Sequence, residues 1–233
     1  MHRDKNVLFV DAGQMQYRQA FQFQTVMNRW LQVHRDIPGF LVVVEHPPVF
    51  TIGRNRRSDD FLFSVEWVKT QGIDVVESNR GGNVTYHGPG QIVAYPLLNL
   101  EHFRKNVKEY VWNLEEWMIH TLEAVGLDAD RKAEYRGVWV GDDKIGALGV
   151  AVKRWTTMHG VALNHEPMLE HFQMINPCGI TEYGVTSLEK LGIRLQREKL
   201  VRVMMRAFEN VFRCSLQEIP LEEVMNRVGF QKA

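Results

Sequence analysis

Apolar residues recur at helical spacing between residues 14 and 34, with Tyr17, Phe21, Val26, Met27, Trp30 and Leu31 read onto one face. The spacing predicts an amphipathic helix, stopped by Ile37-Pro38-Gly39 because proline cannot extend the hydrogen-bond ladder. Short runs rich in β-branched residues lie on either side, at 7–10 and 40–44. Both predict strands, the second one buried. Pro47 and Pro48 interrupt the second run, and 49–52 resumes as another extended piece. Residues 73–78 predict a further strand. Residues 91–100 do too, and there Pro96 implies an edge or a bulge, since proline has no N–H to give a ladder.

Helical periodicity returns over 106–125, with Tyr110, Leu114, Trp117, Met118 and Leu122 on one face. From 137 to 165 short β-type runs (137–140, 145–152 and 158–164) alternate with turns such as Gly141-Asp142-Asp143. Two more helical segments follow, at 198–212 and 221–228. No repeat, low-complexity tract or linker divides the chain. The expected fold class is therefore α+β: one domain over 1–233, mixed sheet flanked by helices, with a small helical C-terminal lobe at about 196–233.

Composition narrows the function classes. Lys plus Arg (28) equals Asp plus Glu (28), so no global field favours nucleic acid or an anionic membrane as partner. An apolar share of 45% suffices for a proper core, and two cysteines cannot form the disulfide framework of a small secreted domain. The apolar run at 7–10 is too short for a signal-peptide core, and 40–44 is far below the ~20 residues of a membrane span. A reducing, cytoplasmic setting is the expectation.

Three stretches do not look like scaffold. In the first, Arg80 to Gln91 reads Arg-Gly-Gly-Asn-Val-Thr-Tyr-His-Gly-Pro-Gly-Gln, with four glycines that cost chain entropy. It is either a hairpin with two glycine turns or a loop whose bare backbone approaches a ligand, lined by Arg80, Tyr86 and His87. It is not a dinucleotide fingerprint, because no helix follows, and the chain contains no GxxxxGK[ST] phosphate loop. The second stretch carries Lys144 ahead of Gly146, Ala147 and Gly149. Together with the small-and-apolar run 158–164, it could wall a tunnel for an aliphatic group.

The third is Asn176-Pro177-Cys178-Gly179. A free cysteine is more often a buried hydrophobe than a nucleophile, and Cys214 is assigned to that role. A nucleophilic Cys178 needs a lysine, a histidine or a helix N-terminus to favour its thiolate. His159, His165 and His171 recur every six residues, which fits neither a helical pair nor zinc-finger spacing, so no metal is expected.

Taken together, these blocks resemble the octanoyltransferases of lipoate biosynthesis, the lipoyl(octanoyl) transferases that use acyl carrier protein. The family pattern appears as four blocks in order: 80–91, Lys-Ile-x-Ala-x-Gly at 144–149, His-Gly-x-Ala-x-Asn at 159–164, and Pro-Cys-Gly at 177–179 followed by Val-Thr-Ser-Leu at 185–188. Segment 45–53 also resembles the family's early motif. The resemblance implies a biotin/lipoate protein ligase-like fold, Cys178 as acyl-thioester nucleophile and Lys144 as the group that lowers its pKa. Arg80, Gly81, Gly82, Asn83, Val84, Thr85, Tyr86, His87, Ala147, Leu148, Gly149, Gly160, Val161 and Ala162 would bind the acyl chain and its thioester, with His159, Asn164 and Gly179 in support. Gly146, where related sequences often carry a larger residue, would widen the acyl tunnel.

The implied reaction moves octanoyl from the phosphopantetheine arm of acyl carrier protein to a lysine of the lipoyl domains of 2-oxoacid dehydrogenases and of the glycine cleavage H protein. A thioester is already activated, so no ATP, metal or other cofactor is expected. Arg54, Arg56 and Arg57 form a basic cluster that would dock the acidic carrier or would simply be a solvated loop. A monomer is expected. An ATP-dependent lipoate (or biotin) protein ligase and an octanoyl amidotransferase are the alternatives within the same superfamily. A non-catalytic binder is the alternative outside it, and it would need neither Cys178 nor Lys144.

Overall fold

The computed structural model describes residues 5–176 and 183–231. Its main sheet has seven strands in the order β10-β1-β2-β6-β9-β8-β7. These are β1 (Asn6–Gln14), β2 (Gly39–Glu45), β6 (Gln91–Leu98), β7 (Val138–Val140), β8 (Asp143–Lys153), β9 (Thr156–Asn164) and β10 (Ser215–Glu218). β10, β1 and β2 run parallel, and the remaining neighbours are antiparallel. A second sheet orders β4 (Asp74–Glu77), β3 (Val49–Ile52) and β5 (Val84–His87).

The continuous apolar runs exist because both faces of the main sheet are covered. Val7, Phe9, Leu41, Val43, Ile92 and Ala94 face one layer, built by α3 (Val107–Glu123) and α4 (Arg197–Phe212). Leu8, Val10, Phe40, Val42, Val44, Val93 and Tyr95 face the other, built by α1 (Tyr17–Val33) and α5 (Leu221–Val228). Successive side chains of one strand thus enter two different cores, as period-two alternation requires. Asn106 caps α3 by accepting from the Glu109 N–H at 3.2 Å, and Trp117 of α3 donates its indole N–H to the Met204 carbonyl of α4 at 2.7 Å.

Several sequence expectations shift. β1 runs on to Gln14, with Gly13 at φ +59°, so α1 starts at Tyr17. The buried face of α1 is Tyr17, Ala20, Phe23, Gln24, Met27, Asn28 and Leu31, while Phe21, Val26 and Trp30 lie at its border. Polarity hid this: Gln24 and Asn28 are buried because they serve the backbone of β9, Asn28 Nδ2 donating to Thr157 O at 3.1 Å. The segment after 196 contributes helices to both layers and adds β10 to the sheet edge beside β1. The short helix α2 (Val65–Thr70), capped by Ser64, and a 3-10 turn at Leu169–Met174 carry too few periodic positions to be read from the chain. No helix among the described residues is long and apolar enough to cross a membrane.

The expectation for Pro96 is overturned, because β6 is a central strand without a register shift. The β6–β9 ladder stops at Ala94–Val161, and the same register resumes at the bridge Asn99–Thr156. Across the gap the Thr157 hydroxyl donates to Pro96 O at 2.6 Å and accepts from Leu98 N at 2.8 Å. A side chain thus substitutes for the missing strand bonds. Thr157→Val, of similar shape, leaves Leu98 N buried without that partner, while Pro96 O keeps the Tyr110 hydroxyl at 3.2 Å. It should cost about 1–3 kcal/mol and shift the urea midpoint down with an unchanged m value. An unchanged midpoint would refute this role.

Candidate active site

The glycine-rich block is where the chain changes sheets. β5 pairs with β3 in the small sheet, and three residues later β6 pairs with β2 and β9 in the large one. The turn between them has Gln91 N donating to Gly88 O at 3.1 Å. Gly90 sits at φ +80° in a place where a Cβ would overlap the Glu166 backbone. The block is therefore not a hairpin of one ladder, and its splayed strands leave a cavity of about 90 Å³ between the two sheets.

Most of the sequence-predicted binding residues line it. Arg80, Gly82, Asn83, Val84, Thr85 and His87 form one wall, while Lys144 to Gly149 of β8 (without Ile145) and His159 to Ala162 of β9 form the opposite one. The small residues do wall a slot. Gly160 is obligatory because a Cβ there would overlap Ala94 O and crowd Pro96. Asn164, Gln91, Val93, Phe172 and Val185 complete the lining, with Tyr17 and Tyr95. Of these, only Asn164 was singled out from the sequence. Period-two alternation along β6 could have found Gln91, Val93 and Tyr95, but Tyr17 and Phe172 arrive through tertiary packing.

Two predicted contacts and one predicted effect fail. Tyr86 points away from the cavity into a separate cluster with Phe50 and Phe172, its hydroxyl bonded to His171 Nδ1 at 2.7 Å, because it alternates with Thr85 and His87 along β5. Burial pushes its phenol up to about 12. Gly81 is not in the lining either; its N–H is used on Val150 O at 3.0 Å, tying the loop to β8. Gly146 lines the slot by its backbone only. A Cβ there would press on Met118 Sδ at 2.8 Å, so the small residue makes room for α3 and does not widen the tunnel.

Lys144 opens the apolar wall. Its N–H donates to Gly184 O at 2.9 Å and its carbonyl accepts from Thr186 N at 3.0 Å, a short parallel bridge. Its side chain crosses Gly137, where a Cβ would overlap Cε, and its ammonium lies 5.2 Å from the centre of the Trp139 ring. Cys178 and Gly179 lie outside the described residues. The chain on both sides is anchored: Asn176 N donates to Asp60 O at 2.8 Å before them, and 184–186 pair with Lys144 after them. Cys214, the other cysteine, packs at the edge of the α3–α4 core, where burial and Glu209 push its thiol up to about 12.

The cavity is also lined by polar groups, neutral histidines and the buried Arg80 guanidinium. His87 (7% exposed) hydrogen-bonds Gln91 Oε1 through Nδ1 at 2.7 Å and stacks on Tyr17. His159 sits at φ +59°, rare for a residue with a side chain, and its backbone N–H donates to Gln24 Oε1 at 2.8 Å. His46 donates to Met15 O from Nδ1 at 2.7 Å and accepts from Tyr95 Oη on Nε2 at 2.6 Å. Burial first, then neighbouring positive charge, pushes His87 and His159 down to about 3, and burial pushes His46 down to about 4. The Arg80 guanidinium is buried beside them and donates to Thr51 O and Oγ1 and to Gly81 O.

Of the basic cluster, Arg56 pairs with Glu77 and Arg57 with Asp59 at the surface, and Arg54 N donates to Arg80 O at 3.0 Å, so this loop backs directly onto the cavity wall.

The three histidines carry a stability consequence. Their folded pKa values lie below the unfolded ~6.5, so between about pH 6.5 and about pH 4 the unfolded chain binds more protons. Their contribution is whole above that window and is lost as pH falls, on the order of 1 kcal/mol per pH unit for each ring. Urea midpoints should therefore drop steeply from pH ~7 to pH ~5. A midpoint that stays level across this range would contradict their being buried neutral.

Comparison with known proteins agrees with this geometry. Residues 16–209 match the family model described as lipoyl protein ligase A/B catalytic domain. The octanoyltransferase of Caldanaerobacter subterraneus subsp. tengcongensis is 47% identical over 184 residues, 78% of this chain and 80% of that one. That of Caldicellulosiruptor saccharolyticus is 42% identical over 222 residues, 94% of this chain and 93% of that one. A solved lipoate-protein ligase A bound with ATP has the same fold, with a TM-score of 0.80 over 97% of this chain and 92% of that one, at 15% identity. The chain therefore belongs to the lipoyl protein ligase A/B catalytic family and, within it, to the octanoyltransferases, acyltransferases of lipoate biosynthesis.

Proposed function

We propose that this enzyme takes octanoyl from the phosphopantetheine thiol of acyl carrier protein and delivers it to a lysine of a lipoyl domain, as in the 2-oxoacid dehydrogenases and the glycine cleavage H protein. The observation that carries the reading is Lys144: it stands in the wall of a slot lined by glycine, alanine and valine, against the chain that leaves Cys178. Cys178 attacks the thioester carbonyl as a thiolate, the C–S bond to the carrier breaks, and the carrier thiol leaves with a proton from Lys144 or solvent. The neutral acceptor amine then attacks the acyl-enzyme. A C–N bond forms, the bond to Cys178 breaks, and the amine proton goes to the departing sulfur or Lys144. A nearby ammonium favours the thiolate while partial desolvation lowers the lysine's own pKa, so the two titrate together.

Because the donor is a thioester, neither ATP nor a metal enters the cycle. The enzyme acts as a cytoplasmic monomer in this reading. The loop carrying Arg54, Arg56 and Arg57 is exposed and backs onto the cavity wall, which suits a dock for an acidic carrier. Reversing these three charges should raise KM for the carrier substrate about 10-fold and leave acylation by a small octanoyl thioester alone. Kinetics unchanged by the reversal with both donors would remove the dock from the mechanism.

Intact-mass measurement after mixing with octanoyl-acyl carrier protein tests the chemistry. One octanoyl adduct should appear, be released by hydroxylamine, and be absent from Cys178→Ser. Lys144→Ala should slow its formation by about 10²-fold or more without unfolding the protein. An adduct that survives Cys178→Ser would place the nucleophile elsewhere. Lipoate-dependent ATP–pyrophosphate exchange would instead make the chain a ligase.

A further inference from the structure

Behind the slot a chain of buried side chains has only one self-consistent set of proton positions. Asn164 Nδ2 donates to the Thr186 carbonyl at 2.9 Å, and a carbonyl can only accept. Asn164 Oδ1 therefore turns to Gln91, whose Nε2 donates to it at 2.9 Å and to the Tyr86 carbonyl at 3.3 Å. Gln91 Oε1 is then the acceptor at 2.7 Å from His87 Nδ1, which must carry the proton. Gln91, Asn164 and His87 are 1%, 4% and 7% exposed, so water cannot readily replace these partners. Two backbone carbonyls thus set the tautomer of a ring that lines the cavity. His46 has both nitrogens spent on Met15 and Tyr95.

We propose that Gln91 and Asn164 are positioning residues that hold His87 as the Nδ1–H tautomer, so that its Nε2 meets the cavity as a hydrogen-bond acceptor for the N–H of the amine that takes the acyl group. This rests on the acyl-transfer reading above. Four substrate groups visit the slot in that reading. The acyl chain has no donor, the thioester carbonyl offers only lone pairs and is repelled by Nε2, and the amine has N–H to give. A carrier thiol is a much weaker donor. His87 is therefore excluded from the oxyanion hole and assigned to the nucleophile. One N–H of the neutral amine points at Nε2, which aims the nitrogen lone pair at the carbonyl carbon. The C–N bond forms, the C–S bond breaks, and the proton leaves with the sulfur. His87 orients the amine and keeps no proton.

Among the described residues Tyr17, His46, Arg80 and His159 are the titratable and charged groups around the ring, with Lys144 in the same cavity lining, and none of them is a carboxylate. Gln91→Glu changes this. A carboxylate still accepts from Nδ1 but cannot donate to Tyr86 O or Asn164, and its charge favours the imidazolium, whose Nε2–H can no longer accept.

The test uses full-length protein with 15N-labelled histidine rings, assigned with His87→Gln. Between about pH 5 and about pH 9, His87 should show a protonated Nδ1 and an unprotonated Nε2 throughout. In Gln91→Glu, kcat for transfer to a lipoyl domain should fall about 10-fold or more at low pH and recover as the ring deprotonates at higher pH. A protonated Nε2 in the wild-type protein overturns the proposal, as does a Gln91→Glu defect that is the same at both ends of the pH range. The tautomer readout needs no turnover, so it fails or survives separately from the acyl-transfer reading, which the adduct measurement tests.

Discussion

A proline in the middle of a sheet sets the geometry on which the rest depends. Pro96 has no N–H to offer β9, and the β6–β9 ladder opens from Ala94–Val161 to Asn99–Thr156. Within that gap several groups of β9 find other uses, Thr157 O accepting from Asn28 among them. Thr157 bridges by its hydroxyl, His159 turns to positive φ and gives its N–H to Gln24, and Gly160 fits against Ala94 O. The buried glutamine and asparagine of α1 are the complement of this opening, because unpaired buried backbone would otherwise cost stability. Two residues of this stretch, His159 and Gly160, line the cavity that the parting of β5 and β6 leaves, so the missing donor shapes part of its wall.

Its electrostatic character follows from burial. Histidines at the inner end are desolvated and neutral, and the buried guanidinium of Arg80 is fixed on Thr51 and the Gly81 carbonyl. Lys144, at the other wall, is steadied by the Trp139 face and given room by Gly137. A slot with small apolar walls, neutral histidines, a buried guanidinium and a lysine is suited to an acyl group whose only reactive feature is a carbonyl. The contrast with the structural neighbour is instructive. At 15% identity the fold persists, so it tolerates wholesale replacement of side chains.

Legibility from the chain was uneven for physical reasons. Strands β2 and β6 were readable as continuous apolar runs, and helices α3 and α4 because each buries a long periodic face. The rotation of α1 was misread because two of its core positions are polar. β5 was hidden inside the glycine-rich block, and β10, mostly exposed and without β-branched residues, gave no strand signal. In the site, the glycine-rich block, Lys144 and the small residues of β8 and β9 stood out by composition, whereas Tyr86 and Gly81 were placed on the wrong side because a motif does not say which way alternate residues face.

By itself, then, the amino-acid sequence determined the α+β class, the four ordered blocks that identify the family, and the residue types available for acyl transfer. These are local or compositional properties, carried by spacing along one chain. The tertiary structure alone decided that β5 and β6 part into two sheets, that Gly146 serves Met118, and that Gln91 and Asn164 dictate which nitrogen of His87 bears the proton. Each depends on atoms separated by up to 73 residues meeting in one desolvated place, where a hydrogen bond has a single permitted direction.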